Sequence, residues 1–219
     1  MATVLVVAPH GMDEVLGCGG TIARHAAAGD RVETLVLFGQ GQGLDAGRRT
    51  AAPAAAAILG SQAPVFAGFP ENRADTVALV DVIAAVEKAI ADQRPDTLYV
   101  SHGGNLNIDH RIAFQAAVTA ARPVPGHPVD RIYAYEVVSS TEWAPPQIGA
   151  PFLPSRFVDI GAFEARKFEA LACYGAELRE APHARSIEGI RAQLRRHGHS
   201  VGYPAAEAFV VIRERLGGP

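Results

Sequence analysis

ATVLVVA at residues 2–8, running into PHGMDEVLGCGG at residues 9–20, decides how the rest of the chain is read. A short, continuous, valine-rich apolar run is the pattern of a strand buried on both faces. The polar, glycine-rich stretch 9–20 then reads as a turn, and residues 21–28 as a helix stopped at Gly29. The same alternation continues down the chain. Strands are expected at 31–38, 97–101, 131–138, 157–160 and 208–213. Helices are expected in an alanine-rich stretch ending at Leu59, and at 77–91, 112–121, 164–176 and 186–197. Pro53 predicts a kink or a late start in the alanine-rich helix. Strands alternating with helices make an α/β fold, a three-layer α/β/α sandwich on a Rossmann-like, mostly parallel sheet. No repeat or linker divides the sequence, so residues 1–219 are expected to form one domain.

Composition excludes several classes of function. The chain has 219 residues, 48% hydrophobic and 20% charged, an ordinary globular mix with ample material for a core. Its net charge of -3 gives no basic footprint for nucleic acid. No apolar stretch approaches the roughly 20 residues that span a bilayer. The chain enters its first strand without a basic segment and apolar block before it, which leads to the expectation of a cytoplasmic protein. Cys18 and Cys173 form no CxxC pair and read as plain small residues.

A parallel sheet places ligands at the carboxyl ends of its strands. Two loops there carry histidines and carboxylates. In the first, His10 and Asp13 are three apart, so that a turn can bring both to one point. In the second, Asn107-Ile108-Asp109-His110-Arg111 follows the strand at 97–101. A catalytic zinc takes three nitrogen, oxygen or sulfur ligands and keeps a fourth position for water. His10, Asp13 and His110 supply such a set for one zinc, or another divalent metal, per chain. A lone histidine in a turn is more often a capping residue. Two histidine-bearing loops on one sheet, one with an adjacent acid, favour the metal.

These residues also resemble a family. VLVVAPHGMDEVLGCGGTIARH is similar to the N-terminal signature of the LmbE-like/PIG-L zinc-dependent N-deacetylases, which read His-Pro-Asp-Asp-Glu at this site. NLNIDHR (105–111), IYAYEVVSSTEW (132–143), ELREAPHARS (177–186) and AEAFVVIR (206–213) resemble later blocks in the same order. The resemblance implies hydrolysis of an N-acetyl group on an amino sugar or sugar conjugate. It implies the ligands His10, Asp13 and His110, with Asp109 orienting the site. It places Arg48 near the substrate, although the glutamate usual three residues on is Ala51 here, and it suggests a homo-oligomer.

The departures are as informative. The family's first aspartate, which resembles a general base, is Met12, and its proline is Gly11. A thioether cannot accept a proton. Glu14, Asp109 and His183 are the candidates for a displaced base, and His183 also for the acid. The alternatives are a metal-containing protein that binds a sugar-like ligand without hydrolysis, and a different reaction at the same Lewis-acid site. Asn107 is a candidate donor to an oxyanion and equally a helix cap. Arg185 and Trp143 are candidate substrate contacts, weighed against a solvated arginine and a loop anchor. The spacing at Gly17, Gly19 and Gly20 is not that of a dinucleotide site and favours a tight turn. GQGQG at 39–43 lies at a strand end and reads equally as backbone that approaches a ligand and as a mobile loop.

Overall fold

A computed structural model describes residues 1–39 and 44–216. The glycine-rich run 40–43 lies outside the described residues. Among the described residues the strands are β1 (Thr3–Ala8), β2 (Arg31–Phe38), β3 (Val65–Phe69), β4 (Thr97–Ser101), β5 (Arg131–Tyr135), β6 (Arg156–Asp159) and β7 (Ala206–Glu214). The helices are α1 (Asp13–Ala27), α2 (Leu44–Leu59), α3 (Leu79–Gln93), α4 (Ile108–Ala120), α5 (Glu164–Ala172) and α6 (Ile187–Ser200). The strands form one sheet in the order β3-β2-β1-β4-β5-β7-β6, in which β7 alone runs against its neighbours. No helix among the described residues is long and apolar enough to cross a membrane.

The alternation within β1 shows why the sheet needs two covers. Val4 and Val6 belong to one apolar cluster, with Ile22, Leu59, Leu171 and Leu194 from α1, α2, α5 and α6. Leu5 and Val7 belong to the other, with Val82, Val86, Ala113 and Ala117 from α3 and α4. Both faces of the strand are therefore removed from water, as a parallel sheet between two helical layers requires. The chain moves outward from β1 to β2 and β3, then returns to lay β4 and β5 on the other side. That reversal opens a crevice at the carboxyl ends of β1 and β4.

Three expectations need correction. Residues 9–20 are not all turn, because α1 starts at Asp13, eight residues early, and is interrupted by a non-helical Cys18 (φ -145°, ψ 22°). Likewise α4 starts at Ile108 rather than at 112, with Asn107 accepting a hydrogen bond from Asp109 N–H as its cap. Thirdly, β3 was not expected; its VFAGF is short, contains Gly68 at φ 81° and forms a half-buried sheet edge. The later elements agree to within a few residues, and Ser186 caps α6 by accepting from Gly189 N–H at 2.9 Å.

The glycines of α1 serve close packing. A Cβ on Gly17 would lie 2.0 Å from Tyr135 Cδ2. The Tyr135 ring is fully buried, and its hydroxyl donates to the Val7 carbonyl at 3.0 Å, so it has no room to swing aside. Gly17→Ala is expected to cost about 1–3 kcal/mol, seen as a Tm drop of roughly 2–10 °C in thermal unfolding. An unchanged Tm would show that the helix and ring separate freely.

Candidate metal centre

His10 follows β1 directly, Asp13 is the first residue of α1, and His110 lies in the first turn of α4. The fold thus brings together residues 100 apart in sequence at the crevice between β1 and β4. One ligand atom from each lies within 4.8 Å of the others, and all three residues are buried. Asp13 Oδ2 sits 3.3 Å from His10 Nδ1 and 3.4 Å from His110 Nε2, and accepts from the His10 backbone N–H at 2.9 Å.

The electrostatics suit a cation. Burial alone would raise the Asp13 carboxyl, but the charge of His110 and the hydrogen bonds and charge of His10 bring its pKa down to about 2. Burial lowers His110 to about 4, which keeps its imidazole neutral near pH 7. Its Nδ1 is buried without a hydrogen-bond partner among the described residues. For His10, burial acts downward but is outweighed by hydrogen bonds to Asp109 and Asp13, and the pKa rises to about 9. Two carboxylates flanking one imidazole favour positive charge at this point, whether carried by a proton or by a metal.

Asp109 is fully buried, 2.8 Å from His10 Nε2, and accepts from the backbone N–H groups of Asn72 (2.6 Å) and Ala74 (3.1 Å). It fixes the ring so that Nδ1 faces Asp13. Such a carboxylate–histidine contact tunes a metal ligand, and its loss typically weakens binding about 10–100-fold. Asp109→Asn is expected to lower zinc affinity by about that factor in chelator competition, with unchanged circular dichroism. Retention of native affinity would remove Asp109 from the site.

The triad opens into a cavity of about 230 Å³. Met12 lines it, 2% exposed, in a left-handed backbone conformation at φ 88°. Another part of the wall is a chain of charged groups. Arg48 donates to Glu71 Oε1 at 2.6 Å and lies 2.9 Å from Glu177 Oε1, while Arg185 donates to Glu177 Oε2 at 3.2 Å. Arg48, Arg185 and Asn107 thus reach the cavity, and the Asn107 side chain also donates to Asn72 Oδ1 at 3.0 Å.

Other candidates lie elsewhere. Glu14 is 4% exposed, accepts from the Tyr174 hydroxyl at 2.8 Å and is not among the residues lining the cavity. Burial raises its pKa to about 7. His183 is also absent from the lining; its ring packs edge-on to Trp143 at 5.5 Å, and its Nδ1 accepts from Arg185 N–H at 3.0 Å. Trp143 is 51% exposed. Glu71 and Glu177 were missed from sequence. The one available signal was Ala51: an arginine without its expected acid nearby needs one from elsewhere, and only the fold says which.

Residues 5–121, more than half the chain and including all three members of the triad, match the family model described as PIG-L, GlcNAc-PI de-N-acetylase. The chain belongs to the PIG-L family. Among curated proteins, the uncharacterized deacetylase YaiS of Escherichia coli (strain K12) is 30% identical over 152 residues, covering 66% of this chain and 79% of that protein. A conserved protein from Thermus thermophilus has a similar structure, with TM-score 0.79, 29% identity, and 100% and 98% of the two chains covered. GalB, the 4-carboxy-2-hydroxymuconate hydratase from Pseudomonas putida KT2440, superposes with TM-score 0.75 at 25% identity, covering 100% and 99%. The chain thus belongs to a deacetylase family by sequence, and a hydratase is among its own structural neighbours.

Proposed function

We propose that this chain is a hydrolase that removes the N-acetyl group from an amino sugar or sugar conjugate with the help of one zinc ion. The buried cluster of His10, Asp13 and His110 at the head of a polar cavity carries this reading. Two imidazoles and a carboxylate are the donor set of a catalytic zinc with one position open, and these three residues would hold it. When bound, the metal supplies Lewis acidity toward an amide carbonyl and acidifies water.

The chain's own groups do the rest. Asp109 would hold the His10 Nε2 proton, so that Nδ1 would offer its lone pair to a metal once its own proton is displaced. Arg48, Arg185 and Asn107 present polar groups to the substrate from the cavity wall, and Trp143 offers its exposed ring outside it. Met12 cannot take a proton. Glu14 and Asp109 do not line the cavity. Glu71, paired with Arg48 on the cavity wall and with 19% of its side chain exposed against 4% for Glu177, is the carboxylate we assign to that proton. His183, packed against Trp143 outside the cavity lining, remains the candidate acid.

Met12 favours a second reading, in which the protein binds a sugar-like ligand without hydrolysing it. The likeness to a hydratase supports a third, different chemistry at the same centre. We place the protein in the cytoplasm as one domain, residues 1–219, with free thiols at Cys18 and Cys173 and assembly into a homo-oligomer. The deciding experiment is acetate release from a panel of N-acetylated sugars by native protein, before and after chelation and after zinc is restored. Release that follows the zinc supports the hydrolase. Tight ligand binding with no acetate supports the second reading.

A further inference from the structure

The break in α1 is held open by a buried ion pair. In an unbroken helix the Gly20 N–H would donate to the Leu16 carbonyl. Here that carbonyl accepts from Lys167 Nζ at 2.6 Å, while Gly20 N–H donates to Glu207 Oε1 at 2.9 Å and Thr21 N–H to Glu207 Oε2 at 2.7 Å. Lys167 and Glu207 also meet each other at 2.6 Å, with side chains 0% and 2% exposed. The lysine caps the carboxyl end of the first short segment, and the glutamate caps the amino end of the second. Lys167 comes from α5 and Glu207 from β7, so two distant elements fill one gap.

Such a pair is expensive to bury, and well-packed apolar residues often do as well for stability. What apolar residues cannot do is satisfy both halves of an opened backbone hydrogen bond. The first segment, Asp13 to Gly17, is too short to be a stable helix by itself. Its tilt then depends on what grips its ends as well as on its packing. Asp13 is its first residue and, on the reading above, a metal ligand.

We propose that Lys167 and Glu207 are positioning residues for the metal triad: by clamping the break at Cys18 they fix the tilt of the turn that presents Asp13. This rests on the triad being a metal site. The test uses full-length protein and cobalt(II), whose visible absorption reports ligand geometry. Lys167→Met keeps the stem and removes the donor. Glu207→Gln keeps the shape and turns one acceptor into a donor facing the Gly20 and Thr21 N–H groups or Lys167. Val86→Ala, in the opposite core cluster, serves as a control that destabilises without touching α1.

All measurements are made well below the unfolding midpoint. Lys167→Met and Glu207→Gln should bind cobalt and zinc about 10–100-fold more weakly and change the cobalt spectrum, whereas Val86→Ala should lower Tm and change neither. Should Lys167→Met fail to fold, Glu207→Gln decides alone. Native affinity and spectrum in the folded variants would overturn the assignment while leaving the metal site standing. A native chain that takes up neither metal would overturn both.

Discussion

Met12→Asp should raise zinc-dependent acetate release from an N-acetylated amino sugar by roughly 10²–10⁴-fold, the contribution of a well-placed acid–base group. The position is prepared for it. Residue 12 already adopts φ 88°, a conformation uncommon for methionine and several-fold enriched in aspartate and asparagine. Its side chain already lines the cavity. The substitution thus installs a carboxylate without asking the backbone to move. Because Asp13 is next in sequence, the variant is assayed with zinc loaded, so that the added charge has a counterion. Equal and substantial release by native and variant protein would mean that another group, Glu71 on our assignment, handles the proton. No release by either would remove hydrolysis from the reading.

His110→Ala should abolish stoichiometric zinc uptake and take acetate release down to background. The loss should exceed the roughly 10–100-fold expected of Asp109→Asn, because a ligand atom disappears rather than its support. The fold should survive, since Asn107 caps α4 and the alanines that follow pack its buried face. Zinc content by elemental analysis and far-ultraviolet circular dichroism separate the two effects. Full activity in a zinc-free His110→Ala protein would refute the metal mechanism.

The legible part of this molecule is the part set by local chemistry. Valine-rich runs announced β1 and β2, and the alternation with helices announced the layered sheet. That His10, Asp13 and His110 would meet was readable because their loops lie at the ends of the adjacent strands β1 and β4. Helix starts were harder. Gly17, Gly19 and Gly20 look like a turn, and only contact with Tyr135 and Ile160 explains why the helix has no room for a side chain at Gly17 and Gly20. Half-buried β3 has too little periodicity to stand out. Glu71 and Glu177 were invisible for a different reason: nothing local ties them to Arg48, which they meet only after the chain has folded back. Met12 was visible as an oddity, but its backbone conformation was not.

The antiparallel insertion of β7 between β5 and β6 bears on how the protein is made. A nascent chain threads out of the ribosome from its amino end, so the residues of the triad are all present once His110 has emerged. The acceptor for Gly20 and Thr21 arrives almost a hundred residues later, with Glu207. Until then the Gly20 and Thr21 N–H groups lack that acceptor. On the reading proposed above, a ribosome stalled before β7 carries His10, Asp13 and His110 without the Lys167–Glu207 pair that meets the open backbone groups of α1.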